Sequence, residues 1–245
     1  MENNKNIGHR IIHLPVVDST NNYLTMLFNN GDINHGCVIM ADKQTRGRGQ
    51  RDNNWESEEE KNIILSLCIE PIKFSVLNQF DISCFTSLSI ISFLKEIGIS
   101  ASIKWPNDIM VNDKKIAGIL IENQLLGKNI KFSNIGIGIN VNQLNFSNLN
   151  ATSLSKELNL NRNLKSDKSL IIKHLNINYN TFFYNHNELR KEYLKYLYQY
   201  QIIAKYKSNK GFFLGEITGV SEWGKLQVKV DNSIIEFDNK EIEFI

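Results

Sequence analysis

Residues 45–51 read Thr-Arg-Gly-Arg-Gly-Gln-Arg and set three arginines beside two glycines. Glycines let a backbone turn tightly and aim its N–H groups at an anion. Arginines hold carboxylate or phosphate through paired, planar hydrogen bonds. Taken alone, the stretch also suits an RNA-binding tail. It is not a Walker loop, because no Gly-Lys-Ser/Thr follows. Lys104-Trp105-Pro106-Asn107-Asp108 places two short oxygen-bearing side chains after a rigid turn. Asn107 and Asp108 could set oxygens near a phosphate-bound Mg²⁺, and Lys104 with Asp108 could equally form a turn ion pair. Lys115 ends a hairpin turn just before Gly118. An ammonium there is placed to neutralise charge on a phosphoryl group, and a solvated turn lysine fits the same pattern. Gly136 and Gly138 alternate in "GIGIN" and strip one strand face of side chains. A bare face admits a flat ligand or another backbone, while close strand–helix packing explains the same glycines. Asn140 follows on that face and could offer its amide to a polar ring edge.

The elements that must position these groups are readable from periodicity. An apolar strand opens at Ile11, and a helix capped by Ser19 or Thr20 turns Tyr23, Leu24, Leu27 and Phe28 to one face before Gly31 stops it. A strand over 36–44 feeds the glycine–arginine loop, and another over 62–70 ends at Pro71. Helical spacing runs from 75 to 97, then strand, turn, strand, tight turn and strand follow from 102 to 123. A further strand over 132–142 sets Ile135, Ile137, Ile139 and Val141 on one face, and helical spacing returns from Lys168 to about Tyr200. After Lys205 short alternating stretches split by Gly, Asp and Asn give the texture of a small barrel. Strands and helices mix without regular alternation, which makes the class α+β.

Composition narrows the function. The chain has 245 residues, with 28 basic and 26 acidic side chains and a net charge of +2. That balance argues against a protein living mainly on nucleic acid. Cys37, Cys68 and Cys84 sit in or beside apolar runs with no CxxC pair, so buried thiols in a reducing compartment are expected. The first ten residues are polar and lack the apolar core of a signal peptide. No apolar run is expected to reach the roughly 20 residues of a membrane span. The five histidines have no ligand spacing, and neither HExxH nor GxSxG occurs.

Taken in order, "DSTN" (18–21), "QTRGRG" (44–49), "KWPND" (104–108), "KKIAGILIE" (114–122) and "GIGINVN" (136–142) resemble the biotin–protein ligase family, relatives of the biotin repressor. The tail resembles that family's small SH3-like domain. The resemblance implies a mixed-sheet catalytic domain of the biotin/lipoate ligase type over 1–200, with helices packed on it, and an SH3-like β-barrel over 201–245. It implies two steps: biotin's carboxylate attacks the α-phosphate of ATP, then a lysine of a biotin carboxyl carrier protein takes the biotin from biotinyl-5′-AMP. Ser19, Thr20, Asn21 and Gln44 would then line the biotin site, with Trp55 or Trp105 along its apolar chain. Arg48 and the Gly47–Gly49 backbone would hold the carboxylate and α-phosphate, with Gln50 beside them. Lys115 would stabilise phosphate charge, Asn107 and Asp108 would line the site with Asp108 on Mg²⁺, and Asn140 would lie near adenine or ribose. Gly118 and Gly138 would let the ligand approach. The three arginines become an anion clamp and lid.

Two departures stand out. The family loop is often GRGRxGR; here Gln50 stands where an arginine is frequent, and Asp52 and Asn53 replace a Gly–Arg pair. Altered retention of the adenylate is expected. Fewer than about 20 residues precede "DSTN", too few for a winged helix, so a monofunctional, cytoplasmic ligase without DNA binding is expected, as monomer or homodimer. The alternatives are a lipoate– or octanoate–protein ligase, an RNA-binding module using the arginine loop, and a biotin sensor without transfer.

Overall fold

A short alternating strand, β1 (Arg10–Val17), leads into α1 (Thr20–Asn30). The computed structural model describes residues 6–50, 53–71, 74–147 and 150–245. Gly31 ends α1 in the left-handed conformation (φ 80°), which a residue without a Cβ adopts freely. Ser19 occupies the N-cap position, but its side chain makes no capping hydrogen bond. Next come β2 (Cys37–Gln44), β3 (Ile63–Ile69), α2 (Gln79–Glu96), β4 (Ser102–Lys104) and β5 (Asp108–Val111). Asn112 and Asp113 both take positive φ (46° and 62°) and turn the chain into β6 (Lys114–Leu126). Asn and Asp tolerate this region better than other side chains, which is why the tight hairpin falls here. β7 (Asn129–Ile139) pairs along its length with β6 from Ala117 onward, starting three residues earlier than the strand expected from 132.

These strands make one sheet in the order β1-β2-β3-β7-β6-β5-β4. Only β1 and β2 run parallel; the other pairs are antiparallel. Period-two alternation sorts the two faces. Ile63, Leu65, Leu67, Ile135, Ile137 and Ile139 enter the main core with Phe85, Phe93 and other residues of α2. The opposite face carries α1, where Leu24, Cys37, Ile39, Cys68 and Phe132 form a smaller cluster. β3 is buried on both faces, as its run of apolar residues, broken only by Ser66, requires.

The predicted helical stretch from Lys168 is two helices after a short α3 (Leu154–Leu158). α4 spans Leu164–Tyr184 and α5 spans His186–Lys195. Asparagine side chains cap both, Asn163 accepting from Ser166 N and Asn185 from Glu188 N. Asp81 of α2 is fully buried, ion-paired to Arg190 and 3.0 Å from the His186 ring of α5, which clasps the two helices together. Residues Val76–Glu96 are long and apolar enough to cross a membrane by length and composition, contrary to the expectation. Two thirds of that window is buried inside the protein, which makes α2 a core helix.

A second, antiparallel sheet follows: β8 (Ile203–Ser208), β9 (Gly211–Val220), β10 (Leu226–Val230), β11 (Ser233–Phe237) and β12 (Ile242–Phe244), in the order β11-β10-β9-β8-β12. It is the small SH3-like unit implied by the sequence, with β11 and β12 left as edges among the described residues. It starts at Ile203, slightly before the change of texture at Lys205. The Trp105 indole N–H donates to Gly224 O at 2.9 Å and ties the two sheets together. Cys37, Cys68 and Cys84 are free and buried, and burial raises all three thiol pKa values.

Candidate active site

Three glycines make the floor. Gly118 pairs with Gly138 across β6 and β7, and Gly136 pairs with Ser66 of β3. All four lie on the α1 side of the sheet. A Cβ at Gly118 or Gly138 would overlap the Trp55 indole, and one at Gly136 would overlap the Asn21 amide. The glycines therefore accommodate side chains that reach in from α1 and from the loop after β2. Above them lies a cavity of about 250 Å³. Ser19, Thr20, Asn21, Gln44, Arg48, Gly49, Gln50, Trp105, Asn107, Asp108, Lys115, Gly118 and Gly138 all line it. Residues from five expected motifs thus meet in one place.

One end of the cavity is a closed polar network. Gln44 Oε1 accepts from Thr20 N at 2.8 Å and from the Thr20 hydroxyl at 3.1 Å. The Ser66 hydroxyl bridges Thr20 Oγ1 at 2.8 Å and Asn21 Oδ1 at 2.5 Å. Asn21 Nδ2 donates to Glu122 at 2.9 Å. Ser19, Thr20, Asn21 and Ser66 are all buried, so these bonds fix amide and hydroxyl orientations where water cannot compete. Asn134 braces the helix start by donating to Asn21 O and Thr25 Oγ1.

The glycine–arginine loop is folded back on itself. Trp55 N donates to Gly47 O at 3.0 Å and Gly49 N to Asn53 O at 2.7 Å. A Cβ at Gly47 would strike Trp55 O, so Gly47 serves the loop's own close approach instead of lining the cavity. The expected clamp of three arginines is corrected. Arg48 lines the cavity, but Glu122 holds it through two hydrogen bonds of 2.7 and 3.2 Å. Arg46 is highly exposed, 3.7 Å from Asp18 and away from the cavity. Arg51 and Asp52 lie outside the described residues.

At the other end, Lys115 Nζ is 2.6 Å from Asp108 Oδ1 and 5.5 Å from the centre of the Trp55 ring. A β-bulge between Ile109 and Met110 brings Lys115 onto the cavity side. The role on Mg²⁺ expected of Asp108 would compete with its ion pair to Lys115. Its carboxylate is engaged by the ammonium, and among the described residues no three His, Cys, Asp or Glu groups cluster to hold an ion. A Mg²⁺ ion carried on substrate phosphates and water needs only one or two protein carboxylates, and Asp108 would serve it by giving up Lys115. Asn107 lines the cavity while bracing the 104–108 turn, exchanging hydrogen bonds with Ile119 through Asn107 O and Nδ2. Asn140 falls outside the cavity wall. It is buried and gives its amide N–H to Thr152 O, holding the loop before α3. Of the two tryptophans, Trp55 covers the glycine floor and its Nε1 is buried without a partner among the described residues. Trp105 touches the cavity but spends its N–H on Gly224.

The model of the biotin/lipoate A/B protein ligase family matches residues 13–142, more than half of the chain and the whole of the glycine floor. The chain belongs to this family. Over 97% of its length the ligase is 28% identical to the bifunctional ligase/repressor BirA of Bacillus subtilis, covering 74% of that protein. It is 30% identical to the biotin–[acetyl-CoA-carboxylase] ligase of Mycobacterium tuberculosis over 112 residues, 44% of this chain and 40% of the other. The biotin protein ligase of Aquifex aeolicus, solved with biotin and ATP, superposes with a TM-score of 0.80 at 28% identity over 96% of this chain and 98% of its own.

Ser66, Glu122, Asn239 and Lys240 are among the site residues of the ligase that escaped sequence reasoning. Ser66 is the polar residue inside the apolar run of β3, and that contrast was the available signal. Glu122 closes a quoted motif, but its partners Asn21 and Arg48 lie 101 and 74 residues away. Asn239 and Lys240 come from the turn between β11 and β12, and no local pattern marks them.

Proposed function

We propose that this ligase condenses biotin with ATP to biotinyl-5′-AMP and transfers the biotinyl group to a lysine of a biotin carboxyl carrier protein. In the first step a carboxylate oxygen attacks the α-phosphorus and pyrophosphate leaves with the P–O bonding pair. In the second, the carrier's neutral amine attacks the anhydride carbonyl, loses its proton and expels AMP. The reading rests chiefly on one observation: a fixed array of buried amide and hydroxyl groups at one end of a glycine-floored cavity, and a lysine at the other. The Thr20–Asn21–Gln44–Ser66 array suits a neutral ring rich in N–H and C=O groups. The apolar chain of the acid would run along the Trp55 indole that covers the glycine floor and present its carboxylate toward Lys115 and Arg48. Lys115 would then stabilise charge on the α-phosphate, and Asp108 would keep its ammonium aimed. Gly49 and Gln50 belong to the loop that would cover the adenylate, excluding water from a readily hydrolysed anhydride. The similarity to an acetyl-CoA-carboxylase ligase supports a carrier of that type, and the buried free thiols support a cytoplasmic setting. Residues 1–200 would be the catalytic unit and 201–245 an appended one.

The test is acid-dependent exchange of labelled pyrophosphate into ATP, with biotin, lipoate, octanoate or no acid. Exchange with biotin alone is expected, and Lys115→Ala should lower its rate by about 10²–10³-fold. Exchange with lipoate or octanoate alone would overturn the substrate, and an undiminished rate in Lys115→Ala would overturn the role of the lysine.

A further inference from the structure

Among the described residues, four cations line the cavity, and they are not equivalent. Arg48 is paired with Glu122, and Lys115 is paired with Asp108. Lys104 stands 5.0 Å over the Phe244 ring. Lys240 has no acidic partner among the described residues, although acidic residues surround it in sequence. Their charges are used elsewhere: Asp238 pairs with Lys225 at 2.9 Å, and Glu241 accepts from Asp238 N at 2.7 Å. Lys240 also holds a left-handed backbone (φ 74°), a conformation that costs a β-carbon residue energy and persists where surrounding contacts impose it. Beside it, Asn239 Nδ2 donates to Gln50 Oε1 at 2.6 Å and joins the second sheet to the tip of the glycine–arginine loop.

We propose that the turn Asp238–Glu241 is the second jaw of the anion clamp: Asn239 latches the glycine–arginine loop through Gln50, and Lys240 binds a phosphate of the nucleoside triphosphate. The inference rests on the ATP-dependent reading of the site. Its logic is electrostatic. An incoming polyphosphate would have to compete with Glu122 for Arg48 and with Asp108 for Lys115, whereas Lys240 is available without such exchange. The glutamine at position 50 gives up one loop cation and gains a hydrogen bond that brings another cation to the rim. The appended sheet thereby becomes part of the nucleotide site.

The experiment measures, by calorimetry with biotin present, the affinity of wild type, Lys240→Ala and Lys240→Arg for α,β-methylene-ATP. Affinity for biotin and pyrophosphate exchange are measured separately. Lys240→Ala should bind the nucleotide about 5–20-fold more weakly, the loss expected for one charge-assisted contact. Its affinity for biotin should be unchanged, and Lys240→Arg should fall within about twofold of wild type. Nucleotide affinity within twofold of wild type in Lys240→Ala would overturn the proposal, as would parallel losses of nucleotide and biotin affinity. A wild-type protein that exchanges pyrophosphate with no acid would count against the ligase reading instead, and the nucleotide affinities would still decide the role of Lys240.

Discussion

Gly138 and Trp55 are one feature seen from two sides. The indole occupies the space that any other residue at position 138 would fill. Gly138→Ala should therefore displace the indole from the floor. Trp55 sits on a loop, so the loop should give before the sheet does. Pyrophosphate exchange is expected to fall about tenfold or more, because a small error in positioning is costly to a reaction held by geometry. The thermal midpoint should shift by only a few degrees. A large loss of stability with normal residual turnover would show that the sheet had yielded instead. At this scale the sequence was a good guide to residue type and a poor guide to engagement. Arg48, Lys115 and the glycines were legible because each type has a narrow chemical use. That Arg48 is held by Glu122 and Lys115 by Asp108 depends on strand register and a bulge, neither of which is written locally.

Elements meet through their ends, and His35 shows how. The buried imidazole accepts from Glu70 N at 3.2 Å, while Glu70 Oε1 accepts from His35 N at 2.6 Å. This reciprocal pair ties the turn before β2 to the end of β3. Burial lowers the His35 pKa from its ordinary 6.5 to about 4. The unfolded chain then binds more protons than the folded one between those values, so stability is full above pH 6.5 and drains away as pH falls toward 4. The effect is on the order of 2 kcal/mol. In His35→Gln the difference between denaturant unfolding free energies at pH 7 and pH 4.5 should shrink by about that amount. An unchanged difference would show that His35 is not the titrating group. Most elements were legible from period and punctuation, as with Gly31 closing α1 and the asparagine–aspartate turn between β5 and β6. The break at Asn185 was not. Asparagine is common throughout this chain, and a cap differs from its neighbours only in its backbone angles.

The whole molecule depends on a few fasteners between its two sheets. Trp105→Phe would leave Gly224 O without its donor and open a small void, at a cost of about 1–3 kcal/mol. A lowering of the melting temperature by roughly 2–9 °C is expected for a chain of this size. Nucleotide affinity is expected to fall as well, because Trp105 itself touches the cavity. The strand order has a separate bearing on how the chain reaches this state. β3 lies between β2 and β7, yet α2 and the strands β4 to β6 are made before β7 exists. Until then one edge of β3, apolar over Ile63–Ile69 except at Ser66, stays open. An open apolar edge is a template for pairing with other chains. Distant pairing is also slow to form, because loop closure precedes the contacts that reward it. A newly made chain therefore passes through an interval of aggregation risk, and conditions that delay β7 prolong it.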